Sequence, residues 1–181
     1  MKKKYCTLGC CGLDCGLCPR FYTDGASRCP GCCGDNFERL HPPCGFVTCC
    51  AVKRGLEACA FCGDFPCARF EKETGDTDSF ITHRKVMYNQ SFLKENGAEK
   101  FIALQERRMA LLKSMLRDYD DGRCKSLFCL AAALLSIEAL SGALLAAETE
   151  VKAGAVAADD QKSKAGLLKR LLGRAAEEEN V

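Results

Sequence analysis

Cysteine is the feature that most restricts how this chain can fold. The sequence holds 16 cysteines, and fourteen of them lie within the first 67 residues, with only Cys124 and Cys129 beyond. In the same segment the aliphatic and aromatic residues stand singly, so that burial of apolar surface alone is too small to fold it. We therefore expect a cross-link, either disulfides or metal, to hold this segment together.

The start of the chain favours metal over disulfides. Disulfides persist in oxidising compartments and require export. The first residues, Met1 to Tyr5, carry three lysines, but Cys6 and Cys10 follow where a signal peptide needs an apolar run. Without an export signal we expect a cytoplasmic protein, whose thiols stay reduced and whose close cysteine pairs bind metal.

Close pairs of cysteines define the candidate metal ligands. The pairs are Cys15-x-x-Cys18, Cys29-x-x-Cys32, Cys44 with Cys49 or Cys50, and Cys59-x-x-Cys62, and Cys67 follows the last of them. Two-residue spacing lets two thiolates converge on one ion, and a tetrahedral zinc site uses two such pairs. Repeated pairs in a chain without an export signal therefore predict structural Zn²⁺.

An iron–sulfur cluster is the alternative cofactor. Cys11-x3-Cys15-x2-Cys18 has the spacing by which radical S-adenosylmethionine enzymes hold a [4Fe–4S] cluster. Counted from Cys10, the spacing is that of plant ferredoxins, which hold a [2Fe–2S] cluster. Both folds need strands, which the sequence does not show. His41 could replace a thiolate in a Cys₃His site or be an ordinary loop residue.

Longer runs of residues resemble a known family. The segment Cys11–Pro19 is similar to the opening motif of a family of uncharacterised prokaryotic cysteine-rich proteins, domain of unknown function 3795. Cys29-Pro30-Gly31-Cys32, the segment Cys50–Cys67 and the segment Asp121–Cys129 resemble later motifs of that family. The resemblance covers about residues 6–145 and implies zinc binding, with no established activity. The ligands it implies are Cys11, Cys15, Cys18, Cys29, Cys32, Cys44, Cys50, Cys59, Cys62 and Cys67. Cys10 and Cys49 adjoin two of these in doublets and remain possible ligands or reactive thiols, whereas Cys6 and Cys33 lie outside the motifs.

The rest of the chain predicts helices. We divide it into a cysteine-rich metal-binding module with little regular structure over 1–75, an all-α hairpin or bundle over 76–149, and a linker with a C-terminal tail helix over 150–181. Periodic apolar residues predict helices at 84–95, 98–119 and 125–148, with a break at Asn96-Gly97. The last of these is apolar enough to raise the question of a membrane-spanning helix, but Glu138 at its middle favours a buried bundle helix.

The function that follows is a zinc-binding scaffold without a specified role. Iron–sulfur electron transfer or redox sensing is one alternative, and thiol-based metal storage or delivery is another. The sequence contains no recognisable catalytic constellation, and we lean away from an enzyme. Cys129 is a further candidate, as a reactive thiol beside Arg123 and Lys125, a ligand, or a small core residue. We expect a protein partner on the helical part or the tail. The net charge of +2 gives no strong signal of nucleic-acid binding.

Overall fold

The computed structural model describes residues 3–71 and 78–181. Within them the fold is helical, and no β-strand forms apart from one isolated bridge between Leu8 and Asp14. The chain divides into two compact units, Met1–Glu106 and Arg107–Val181. The predicted boundary between residues 75 and 76 lies outside the described residues.

The first unit begins with loops in which each cysteine pair is placed by a short turn. Single 3₁₀ turns occupy Cys15–Leu17, Pro19–Tyr22 and Cys59–Phe61, and a π-helical turn runs from Val47 to Lys53. Two short α-helices, α1 (Phe37–Leu40) and α2 (Ala68–Glu71), complete the cysteine-rich part. The predicted absence of long regular elements in this part is thus observed.

The long helix α3 (Val86–Tyr119) runs through the end of the first unit and into the second. It is kinked at Gly97, where φ is 82° and ψ is 165°, a conformation that favours glycine because it has no Cβ. The predicted break at Asn96-Gly97 is therefore present as this kink. Before and after the kink, Leu93 and Phe101 pack with Leu8 and Ala58 in a small apolar core of the first unit. The helix thus supplies apolar surface that the cysteine loops lack.

The second unit contains α4 (Lys125–Leu134), α5 (Ile137–Lys152) and α6 (Gln161–Glu179) after the end of α3. The sequence predicted one helix over 125–148, and this prediction is wrong because Leu135 is extended and Ser136 starts a new helix as its N-cap. Arg108 donates to the carbonyl oxygens of Ala132 and Leu135 and so closes the end of α4. None of the described helices is both long and apolar enough to cross a bilayer.

Helix α6 is an integral part of the second unit. The sequence predicted a linker and a short tail helix, but α6 spans nineteen residues and packs along α5. Its leucines Leu167, Leu168 and Leu172 are buried, and the Glu179 carboxylate accepts hydrogen bonds from the backbone and hydroxyl of Ser136. Leu127 and Leu130 of α4 are apolar but 37% and 40% exposed.

Candidate metal centre

Three cysteine sulfurs come together in the interior of the first unit. The Cys10 and Cys32 sulfurs are 3.7 Å apart, and the Cys32 and Cys33 sulfurs are 4.0 Å apart. All three lie within 4.8 Å of one another, and all three residues are buried. Four thiolates at the Zn–S bond length of about 2.3 Å in a tetrahedron are separated by about 3.8 Å, which matches these spacings. We call this group the inner thiol cluster.

An unusual backbone conformation lets neighbouring cysteines share this cluster. Adjacent residues in an extended segment point to opposite sides, but Cys33 is left-handed, with φ of 61°. A left-handed residue other than glycine costs free energy and is found where surrounding structure imposes it, often at binding sites. The preceding turn is equally constrained, because a Cβ on Gly31 would lie 2.4 Å from the Cys6 carbonyl oxygen.

Two further cysteines extend the inner thiol cluster. The Cys50 thiol interacts with Cys10 on one side and with Cys59 on the other. Cys50 is 2% exposed and belongs to the same buried group as Cys10, Cys32 and Cys33. Its position on the π-helical turn brings a further sulfur beside that of Cys10, at the edge of the inner thiol cluster. π-Helical turns are rare and occur frequently at functional sites.

A buried cation stands beside these sulfurs. Lys3 is only 5% exposed, and its ammonium group donates a hydrogen bond to the Leu8 carbonyl oxygen. Burial lowers the pKa of Lys3, but the nearby sulfurs of Cys32 and Cys10 outweigh that effect, and the pKa lies above its usual value. A buried charge is costly unless it is paired. The carboxylate of Glu57 contributes to the pairing together with the sulfurs, and metal coordination would add negative charge to the sulfurs by removing their protons.

Burial opposes ionisation of several thiols when no cation is bound. It raises the pKa of Cys33 to about 11 and that of Cys11 to about 12, and it raises the pKa of Cys15 well above the usual range. Desolvation is the largest cause for each of the three, and the charge of neighbouring cysteines adds to it. A divalent cation among these thiols would offset both effects and lower their pKa values, because its positive charge stabilises the thiolates.

Helix α3 holds the loops that carry the cysteines. The Gln90 side chain is fully buried, accepts from the Ala60 backbone N–H at 2.6 Å and donates to the Cys10 carbonyl oxygen at 3.1 Å. Gln105 reaches the first loop in the same way, donating to the Thr7 carbonyl at 2.9 Å and to Asp14 at 2.6 Å. Gln90 therefore ties the loop of the inner thiol cluster to the Cys59–Phe61 turn.

A large cavity of about 370 Å³ opens beside the inner thiol cluster. Its lining includes seven cysteines, together with His41, His83, Arg20 and apolar side chains, and none of the lining residues is Asp or Glu. The seven are Cys10, Cys11, Cys15, Cys18, Cys29, Cys32 and Cys44. Burial raises the pKa of Cys18, although the backbone N–H groups of Arg20 and Phe21 donate to its sulfur and partly offset this effect.

A second, small cavity of about 50 Å³ includes Cys50 in its lining. Five cysteines line it, namely Cys49, Cys50, Cys59, Cys62 and Cys67. The guanidinium of Arg54 donates to the Cys62 sulfur at 3.0 Å and to the Asp64 carboxylate at 2.6 Å, and it also interacts with Cys49. The 3₁₀ turn Cys59–Phe61 ends with the Cys62 N–H bonded to the Cys59 carbonyl at 2.9 Å, so that both side chains meet one cavity.

The structure separates the cysteines implied by the resemblance into two groups. Six of them line the large cavity and four line the small one, and of these only Cys32 belongs to the inner thiol cluster. Cys10 belongs to the inner thiol cluster and Cys49 to the small cavity. Cys129 lies in the second unit, 2% exposed within α4, and lines neither cavity.

Sequence reasoning missed several residues around these sulfurs. Cys33 lies outside the motifs of the resemblance, but its sulfur lies in the inner thiol cluster. The signal that could have revealed it is the doublet Cys32-Cys33 followed by glycine. Lys3, Arg54 and Gln90 carry no such signal, because their contacts join residues that are distant in sequence or lie in an irregular loop.

None of the sixteen cysteines, all of which lie in the described residues, forms a disulfide, and the cysteine groups could hold a metal ion. The comparisons with protein families, with curated proteins and with solved structures find no match to this chain.

Proposed function

We propose that the first unit is a zinc-binding module and that the protein serves as a binding scaffold built around it. In this proposal the inner thiol cluster, with Cys50 as the fourth ligand, holds a structural Zn²⁺. The observation that carries the proposal is the spacing of the Cys10, Cys32 and Cys33 sulfurs, 3.7 and 4.0 Å, which is that of a tetrahedral thiolate site.

The charge of the surroundings supports this function. Four thiolates around one Zn²⁺ carry a net charge of about −2, by the count of the ligand charges. The buried ammonium of Lys3 offsets part of that charge from close range. Hydrogen bonds to ligand sulfurs and nearby charges are the outer contacts by which proteins tune a metal site. A centre of reduced thiols requires a reducing compartment, and we place the protein in the cytoplasm.

The test is the zinc content of matched cysteine variants purified without oxygen. Cys33→Ser is expected to lose one zinc equivalent per chain, because serine cannot replace a thiolate in a tetrahedral sulfur site. Cys6→Ser is the matched control and should keep the parent's zinc content, since Cys6 lines neither cavity and lies outside the inner thiol cluster. Equal zinc content in the Cys33→Ser variant and the parent would overturn the assignment.

A second candidate function is redox chemistry on an iron–sulfur cluster in the large cavity. The observation in its favour is volume, because about 370 Å³ is far more than one ion needs, when a water molecule takes about 30 Å³. The thiols of Cys11, Cys15 and Cys18 all face that cavity, and Cys29 or Cys44 could complete a four-cysteine set. Iron and sulfide analysis with a visible absorption spectrum decides it, since zinc–thiolate protein is colourless.

A further inference from the structure

Apolar side chains form much of the wall of the large cavity. Phe37, Leu40, Phe46, Val47 and Ile81 all line it, and cysteines that bind no metal behave as small apolar groups beside them. The volume of about 370 Å³ lies in the range of about 300–1,000 Å³ that is usual for pockets that hold small organic molecules. Apolar side chains offer no ligand atoms to an ion, so this part of the wall suits an organic molecule with an apolar body.

Exposure to solvent distinguishes the mouth of this cavity from its interior. Phe80 lines the cavity and is 67% exposed, so its ring lies at the opening. The guanidinium of Arg20 lies over this ring, 4.8 Å from its centroid, in a cation–π contact. Cys10 and Cys32, in contrast, are 1% and 6% exposed and belong to the inner thiol cluster. The cavity therefore has a cation at its mouth and sulfurs in its interior.

The side chain of Arg20 has hydrogen-bonding capacity to spare. A guanidinium carries five N–H donors in a planar fork that matches the two oxygens of a carboxylate. Among the described residues this fork donates only to the Ser27 carbonyl oxygen, at the long distance of 3.5 Å. The backbone carbonyl of Arg20 accepts from the Cys29 N–H at 2.9 Å, and this bond fixes the base of the side chain. Arg20 is therefore held at the mouth with donors available to an incoming anion.

The charges around the cavity favour an anion at the mouth. In the part of the chain that the structure describes, no Asp or Glu lines the cavity, whereas Arg20, His41 and His83 do. A metal-bound inner thiol cluster would place negative charge at the interior, by the count of its ligand charges. A molecule with one carboxylate fits both conditions when the carboxylate stays beside Arg20 and the apolar body points inward.

We propose that the large cavity binds a small organic acid with an apolar body, whose carboxylate pairs with the guanidinium of Arg20. The site lies within the first unit, and it goes beyond the proposed function because it needs no metal in the inner thiol cluster. An iron–sulfur cluster held by Cys11, Cys15 and Cys18 would fill the same space, so the two occupants exclude each other.

The experiment compares the binding of octanoate and octanol to the full-length protein by isothermal titration calorimetry, under reducing conditions without oxygen. Octanol has the same hydrocarbon chain but no charge, so the comparison isolates the contribution of the carboxylate. The parent protein is expected to bind octanoate with a Kd below about 1 mM and to bind octanol more weakly. Arg20→Gln should weaken octanoate binding about three- to tenfold, given the partial exposure of the contact, and leave octanol binding unchanged.

Two further variants on α1 locate the site. Arg39→Gln is the matched control, because Arg39 is exposed and lines neither cavity, and it should leave the binding of both probes unchanged. Leu40→Trp puts a larger side chain into the cavity and should abolish the binding of both probes. If Leu40→Trp does not fold, the contrast between octanoate and octanol in Arg20→Gln decides the proposal by itself.

Three results would overturn the proposal. They are a parent protein that binds no octanoate, octanoate binding that persists in folded Leu40→Trp, and an equal loss of both probes in Arg20→Gln. The zinc content of the same samples separates this failure from failure of the proposed function. Zinc without octanoate binding contradicts only the organic-acid site, whereas octanoate binding without zinc contradicts only the zinc-binding module.

Discussion

Cys33 shows how a single backbone conformation can decide which thiols meet. Its left-handed φ of 61° turns its side chain toward that of Cys32, so that two consecutive sulfurs lie 4.0 Å apart. Crowded thiols in a buried place resist ionisation, because desolvation and mutual repulsion both oppose negative charge. The chemistry of these residues therefore depends on whether a cation is present among them.

Loss of stability at alkaline pH is expected for the metal-free protein. Burial raises the pKa of Cys33 to about 11 and that of Cys11 to about 12, from the usual value of 9.0. A raised pKa means that folding favours the protonated thiol, so this contribution is complete below pH 9.0 and is lost as the pH rises through 11 and 12. Urea unfolding of chelated, reduced protein should show a midpoint that falls above pH 9.0. Zinc-loaded protein is the control, since its ligands are already deprotonated. A constant midpoint in the metal-free protein would contradict this prediction.

Helix α3 acts as the frame of the first unit. It offers Leu93 and Phe101 to the apolar core and Gln90 to the two cysteine loops. A buried side chain that satisfies backbone groups on two separate loops fixes the distance between them, because each bond would otherwise leave an unpaired polar group. The cysteine loops therefore depend on the helix as well as on metal for their arrangement.

Replacement of Gln90 is expected to weaken the first unit. Gln90→Ala leaves the Ala60 N–H and the Cys10 carbonyl without their partner, at a cost of about 2–4 kcal/mol in the free energy of unfolding. The measurement is denaturant unfolding of the zinc-loaded protein, followed by the signal of the bound metal centre. Lys94→Ala is the matched control on an exposed position of the same helix and should cost less than about 0.5 kcal/mol. Equal unfolding midpoints for the two variants would show that Gln90 does not hold the loops.

In the second unit, side-chain hydrogen bonds hold the start of α5 in place. The Ser136 hydroxyl accepts from the Ala139 N–H at 3.0 Å, and Ser136 also donates to Glu179 at the end of α6. Ser136→Ala should lower the free energy of unfolding by about 1–2 kcal/mol through loss of the N-cap and of this contact. Thermal unfolding followed by circular dichroism measures the change. Ser141→Ala, on an exposed position within α5, is the control and should have little effect. A melting temperature for Ser136→Ala as high as that of the control would rule out the cap.

At the scale of the whole molecule, the two units rest on different interactions. The first combines a small apolar core around Leu8 and Leu93 with fourteen cysteines, whereas the second buries Leu140, Leu168 and Leu172 and other apolar residues between its helices. Structural zinc sites in small domains provide about 10–16 kcal/mol of apparent binding energy, more than most domains have in total stability.

Metal removal should therefore affect the two units unequally. Chelation of the reduced protein is expected to lower hydrogen-exchange protection in the cysteine loops over residues 6–67, where only a marginally stable fold remains without metal. The α3 residues up to Glu106 should lose protection with them, because their buried side chains pack on those loops. Protection in α5 and α6 should remain, since these helices have a core of their own. Native protection across residues 10–67 in a metal-free sample would contradict the central role of metal.

The cysteine-rich character of the first part, the helical character of the rest and the break at Asn96-Gly97 could all be predicted from the sequence. These features depend on local composition, on periodicity and on the freedom of glycine, all of which can be read along the chain. The same reading failed at Leu135-Ser136, where an apolar run continues through a helix break that Ser136 and the carboxylate of Glu179 stabilise.

Which thiols share a cluster depends on the three-dimensional fold and could not be predicted from the sequence. In each doublet both cysteines have similar sequence surroundings. The left-handed Cys33 brings its sulfur beside that of Cys32, whereas the π-helical turn leaves Cys50 buried and Cys49 partly exposed. Lys3, Arg54 and Gln90 likewise contact sulfurs or cysteine loops only because the chain folds back on itself. The spacing of residues along the sequence does not predict these contacts. The physical reason is that contacts around a buried polar site are set by three-dimensional packing and electrostatic compensation, and these involve residues far apart in sequence.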